Sequence, residues 1–161
     1  MTLKKDASIY ILVPTYRQDI FLTTKLWPSD YGFQKALDAF EGSKRRLGVE
    51  YLDLYLLHWP DCHGSVTDKK SCLADTWKAL ELLLEQGKCR AIGVSNFMRH
   101  HLEGILETAR IVPHVNQCEF HPYQNPKDLR EFCAQKKIHF QVGGVRSGKT
   151  LMNEVYVKEV R

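Results

Sequence analysis

Two hydrophobic periods take turns along this chain. Runs that are apolar at every position, or at every second one, read as strands. Runs with apolar residues three and four apart read as helices. The strongest strand signal is YLDLYLLHWP (51–60), apolar on both faces until its last three residues, where His58 appears. A strand buried on both sides belongs to a parallel sheet covered by helices. Further strands are expected at 20–26, 89–94, 114–120 and 138–142. Helical spacing links Phe33, Ala36, Leu37, Phe40 and Leu47, with Gly48 as C-cap. A polar loop over 61–72 leads to a second helix at 73–86, ended by Gly87. A third, at 96–110, carries Leu102, Ile105, Leu106 and Ala109 on one face. A fourth runs to Lys136, with Asn125 as N-cap and Pro126 at its first position.

The order is therefore β-α-β-α-β-α-β-α-β, repeating about every 30 residues, which implies a parallel sheet with right-handed crossovers. A doubly wound sheet and a (β/α)8 TIM barrel both fit. A complete barrel needs eight strands and ~250 residues, so this chain would hold part of one. In either case all strand ends face one rim, where α/β folds keep their chemistry. The residues at or just after those ends are Lys25, His58, Ser95, Asn96, Gln117, Cys118 and Glu119.

Composition narrows the class. The chain has 161 residues, 43% hydrophobic and 26% charged, the balance of one soluble globular domain spanning 1–161 with a divergent tail at 142–161. A net charge of +4 is too small and dispersed to argue for nucleic acid. Lys44, Arg45 and Arg46 fall in the last turn of the first helix, where cations complement its dipole. Five cysteines (Cys62, Cys72, Cys89, Cys118, Cys133) show no CxxC spacing and read as reduced thiols of a cytoplasmic protein. The pair Cys62-His63 lacks the ligand spacing of a metal site, and no metal is expected. The apolar run at 9–14 is too short for a leader, and no stretch reaches the ~20 residues that span a bilayer.

Four motifs at the strand ends carry a family resemblance: TTKLW (23–27), YLDLYLLHWP (51–60), IGVSNF (92–97) and VNQCEFHPY (115–123). Together they resemble the aldo-keto reductases over about residues 17–141. The resemblance implies an incomplete (β/α)8 barrel whose five strands are the third to seventh of eight. It also implies NADP(H)-dependent reduction of aldehydes and ketones to alcohols. Hydride delivery to a carbonyl builds negative charge on oxygen, which a proton donor and preset hydrogen bonds must meet. By resemblance, Lys25 is the lysine that lowers the pKa of the donor tyrosine. His58 orients the substrate carbonyl, and His58 and Trp59 line the substrate site. Ser95, Asn96 and Gln117 hold the nicotinamide carboxamide.

Both ends depart from the family pattern. The segment Asp6 to Tyr10 resembles the family's Asp-to-Tyr segment, which makes Tyr10 the candidate donor. It is one residue short and lacks the helix that should follow. The tail GGVRSGKT (143–150) fits the phosphate-loop pattern GxxxxGK[ST], but too little chain follows for a magnesium-binding acid, so it reads as a basic, Gly-rich tail. These departures lead us to expect a truncated isoform with impaired catalysis. The alternative is a non-catalytic fragment acting through protein association. Five strands would leave two open edges and an inward face exposed to water, favouring self-association.

Overall fold

A computed structural model of the chain describes residues 16–63 and 68–143. Tyr10 and residues 144–150 of the phosphate-loop-like stretch lie outside these described residues.

The elements alternate as expected: β1 (Thr23–Leu26), α1 (Phe33–Leu47), β2 (Leu52–Leu57), α2 (Lys69–Glu85), β3 (Cys89–Ser95), α3 (Arg99–Leu106), β4 (Val115–Cys118), α4 (Lys127–Gln135) and β5 (His139–Val142). The strands form one parallel sheet in the order β1-β2-β3-β4-β5. This is a partial (β/α)8 barrel.

Local chemistry explains the boundaries. Gly48 closes α1 in the left-handed region (φ 66°), and Lys44, Arg45 and Arg46 occupy the last turn. Helix α2 starts at Lys69, inside the stretch expected to be loop. Asp68 caps it, accepting hydrogen bonds from the backbone N–H of Lys70 (3.0 Å) and Ser71 (3.2 Å). Helix α3 is shorter than its apolar spacing suggests. The Met98 N–H donates to His101 Nδ1 (3.1 Å), and the helix ends before Glu107.

All six residues of β2 are buried, including Asp53. This charge in a strand read as apolar is met on three sides. Asp53 lies 2.7 Å from Arg17 and 3.1 Å from Arg90, and accepts from the Leu22 N–H at 2.9 Å. Both guanidinium groups lie over the Tyr51 ring, at 4.0 and 4.4 Å from its centre. A buried carboxylate is tolerable only when paired in this way.

Between sheet and helices lies a core of Leu26, Phe40, Tyr55, Leu57, Trp77, Leu80, Ile92, Val94 and Phe97. The inward face is not open at its centre as expected. Leu54 and Leu56 are 1% and 0% exposed, and Thr23, Ser95 and Gln117 are each 3% exposed. At Gly93 the absent side chain lets Leu56 lie across the neighbouring strand. A Cβ at Gly93 would lie 2.8 Å from Leu56 Cδ2, so the leucine rests directly on the glycine backbone.

The cysteines also depart from expectation. Cys62 and Cys72 form a disulfide with their Cα atoms 6.5 Å apart, joining the segment after β2 to the first turn of α2. Cys89, Cys118 and Cys133 are free and buried, as expected of reduced thiols. Among the described residues, no helix is long and apolar enough to cross a membrane.

Candidate active site

The strand register gathers the expected residues. Lys25 pairs with Leu56, Leu56 with Gly93, and Gly93 with Val115. Two residues further along the same face, Ser95 pairs with Gln117 and Gln117 with Gln141. His58 continues the row, because its N–H donates to the Leu26 carbonyl at 3.1 Å and extends the β1–β2 ladder. Side chains alternate between faces along a strand. Lys25, His58, Ser95 and Gln117 therefore lie on the inward face at the carboxyl ends of four consecutive strands.

Asn96 joins them by a different route. It adopts the left-handed region at φ 63°, which asparagine tolerates better than most residues. Its N–H donates to the Gln117 carbonyl at 2.9 Å. Its side-chain Nδ2 turns back over the rim to donate to the His58 carbonyl at 3.0 Å, with the Ser95 hydroxyl oxygen at 3.3 Å.

His58 sits between two indoles. Trp27 meets it edge-on with ring centres 4.9 Å apart, and Trp59 stacks at 5.8 Å. Burial lowers its pKa from 6.5 to about 4, helped by the positive charge of Lys25. The imidazole is therefore neutral at neutral pH and can donate one hydrogen bond without adding charge. Lys25 supplies the positive charge beside it.

Of the other candidates, Cys118 and Glu119 separate from this group, while Trp59 stays beside His58. Cys118 lies on the helix-facing side, against Asn116 Oδ1 (3.3 Å) and the Phe97 carbonyl (3.8 Å), and burial pushes its thiol up to about 11. Glu119 sits 3.4 Å from His121, past the end of β4. Trp59 is 44% exposed at the rim, open to a ligand.

Sequence reading missed three contributors. Asn116 is fully buried and donates to the Phe97 carbonyl at 2.9 Å, steadying the turn after β3. Tyr31 bonds the backbone of Trp59. Gln141 stands beside Gln117 in register. Asn116 lies within the VNQCEFHPY motif but was not singled out there, and no motif marked Tyr31 or Gln141. The alternation of β5 alone could have placed Gln141 with the site.

A nicotinamide carboxamide fits the residues present. Gln117 Nε2 is buried with no hydrogen-bond partner in the structure, and a buried unsatisfied donor costs ~1–3 kcal/mol. A carboxamide oxygen is an acceptor of the kind this donor lacks. Ser95 and Asn96 stand next to it in the β3–β4 register, offering a hydroxyl and an amide.

Comparison with known proteins points the same way. The model of the Aldo/keto reductase family matches residues 3–152. The glyoxal reductase of Bacillus subtilis (strain 168) is 47% identical over 140 residues, covering 86% of this chain and 48% of that protein. The 9,11-endoperoxide prostaglandin H2 reductase of Trypanosoma cruzi is 51% identical over 122 residues, covering 76% and 40%. Among solved structures, an aldo/keto reductase from Brucella melitensis superposes with a TM-score of 0.73 at 41% identity, over 80% of this chain and 48% of that one. A Bombyx mori aldo-keto reductase in complex with NADP gives 0.72 at 29% identity, over 78% and 41%. The chain spans about half the length of the curated relatives it matches.

Proposed function

The chain belongs to the aldo/keto reductase family, an oxidoreductase family, and on that premise we propose that its rim serves NADP(H)-dependent reduction of aldehydes or ketones to alcohols. One observation carries the reading: Lys25, His58, Ser95 and Gln117 share one face at four adjacent strand ends, with His58 held neutral beside a cation. The NADP complex among the similar structures supports the choice of cofactor.

When bound, the reduced nicotinamide supplies the hydride. The chain's own residues orient and stabilise. Gln117 Nε2, the Ser95 hydroxyl and the Asn96 amide hold the carboxamide and so present one ring face to the substrate. Neutral His58 donates to the carbonyl oxygen. Lys25 stabilises the negative charge that grows there, an effect strengthened where water is excluded. Trp59 and Trp27 supply apolar surface on either side of His58. Tyr10, the candidate donor of the proton, lies outside the described residues.

The test is direct. Purified chain is titrated with NADPH, following cofactor and tryptophan fluorescence, and loss of NADPH absorbance is then followed with a small aldehyde. Saturable binding that weakens at least tenfold in Gln117→Ala supports the reading. No binding by demonstrably folded protein overturns it.

A second reading, association without turnover, draws support from β1 and β5. Among the described residues each pairs on one side only, leaving a row of backbone groups for another strand. Light scattering that shows a concentration-dependent oligomer, with no aldehyde turnover, would favour it.

A further inference from the structure

We infer that Tyr31 is a positioning residue for this rim: its hydroxyl holds both backbone polar groups of Trp59 and so sets the pose of His58 and Trp59 toward a carbonyl substrate. The inference rests on the reading above and deepens it.

The Tyr31 hydroxyl donates to the Trp59 carbonyl at 2.8 Å and accepts from the Trp59 N–H at 3.2 Å. On the other side, Asn96 Nδ2 donates to the His58 carbonyl at 3.0 Å. The His58 carbonyl and the Trp59 N–H belong to one peptide plane. That plane is therefore gripped at both polar atoms, by two side chains from different parts of the chain. Its orientation sets the directions in which the His58 and Trp59 side chains leave the backbone. The next carbonyl is held as well, so the turn out of β2 cannot rotate without breaking three hydrogen bonds.

The clamp needs a phenol that both donates and accepts, which requires that it stay protonated. Burial pushes the Tyr31 hydroxyl well above the usual tyrosine range. The residue is 5% exposed, so water does not compete for its bonds. Its own place is fixed from α2. The neighbouring Gly32 N–H donates to the Thr76 hydroxyl at 2.8 Å, and Thr76 in turn donates to the Cys72 carbonyl at 2.7 Å. Gly32 takes φ 114°, a conformation that side chains other than hydrogen rarely adopt, and caps α1 directly after Tyr31. The ring contacts of His58 could not do this work alone. Trp59 is 44% exposed and its stacking is weak, so its pose depends on its backbone.

The matched control is Tyr55. It too is a buried tyrosine, but its hydroxyl has no hydrogen-bond partner in the structure and it faces the helices. Tyr31→Phe and Tyr55→Phe are compared in the full chain by native-state amide exchange and by NMR of the Trp59 indole N–H. Tyr31→Phe is expected to lower the protection of the Trp59 amide about tenfold beyond any global loss, the worth of one hydrogen bond, and to shift the indole signal. Tyr55→Phe leaves both unchanged. With an aldehyde and NADPH, Tyr31→Phe raises the KM for the aldehyde about tenfold and leaves NADPH affinity within about twofold. Protection at Trp59 that only tracks global stability, as in Tyr55→Phe, overturns the inference. Absence of aldehyde turnover in the unmodified chain would defeat the proposed function, while the Trp59 amide still decides the role of Tyr31. If Tyr31→Phe fails to fold, Thr76→Val, which releases the Gly32 N–H beside Tyr31, is read by the same two signals.

Discussion

Gly93→Ala should cost this chain much of its stability, and the structure says how. A Cβ at Gly93 would lie 2.5 Å from the Val115 carbonyl oxygen and 2.8 Å from Leu56 Cδ2. A carbon and a carbonyl oxygen settle near ~3.3 Å, so β3 and β4 would have to part by about 0.8 Å. Leu56 can swing; the Val115 backbone cannot. Only three register pairs join β3 to β4: Gly93–Val115, Val94–Asn116 and Ser95–Gln117. Opening that seam weakens hydrogen bonds worth ~1 kcal/mol each. Overpacking adds ~1–3 kcal/mol, while losing a strand glycine returns ~0.5–1 kcal/mol. The net expectation is a loss of ~2–4 kcal/mol, a large share of a typical ~5–15 kcal/mol. Urea unfolding with Gly104→Ala alongside makes the measurement internal. Gly104 lies in α3 with nothing within 4 Å of its added Cβ, so that variant should gain ~1 kcal/mol. Because Ser95 and Gln117 share the strained seam, Gly93→Ala should also weaken NADPH binding. A Gly93→Ala midpoint equal to the parent's would refute the close approach of β3 and β4.

Other expectations can be checked with the same material. His58 has a folded pKa of about 4 against 6.5, so its contribution to stability is complete above pH ~6.5 and is lost as pH falls through about 4. His58→Gln should flatten that acid limb of the unfolding profile, and Lys25→Met should raise the His58 NMR titration midpoint by less than its full displacement. Reducing the Cys62–Cys72 disulfide, or Cys62→Ser, should lower stability by ~2–3 kcal/mol in denaturant titrations with and without dithiol. Asp53→Ala should cost ~1–3 kcal/mol by urea unfolding, because it leaves the Leu22 N–H without its acceptor and takes the carboxylate from Arg17 and Arg90.

Some of this was plain in the sequence. The apolar run of β2, the Gly48 cap and the helix–strand alternation have local causes, so local pattern revealed them. The shared rim of Lys25, His58, Ser95 and Gln117 was legible because each ends a strand, and parallel strands send their ends to one rim. What escaped was set by contacts distant in sequence. Asp53 went unremarked in a strand read as apolar on both faces. Its tolerance depends on Arg17 and Arg90, 36 and 37 residues away. The disulfide could not be read from spacing, because it arises only once Asp68 starts α2 early enough to place Cys72 in the first turn. Tyr31 carries no motif, and its role exists only where the turn after β1 meets the end of β2. The closed centre of the inward face was missed because strands were counted, and Leu56 lying flat on Gly93 was not foreseen.

Among the described residues, every strand pairs with the strand before or after it in the chain, and with no other. Such an order is that of a repeat protein bent into an arc. Each βα unit can dock on the edge left by its predecessor as soon as it leaves the ribosome, without waiting for a distant segment. Loop closure stays short at every step, which favours quick folding. Stability then accrues unit by unit, as a sum of intrinsic terms and neighbour interfaces. The growing face at any moment is the newest strand, and in the described residues that face is β5.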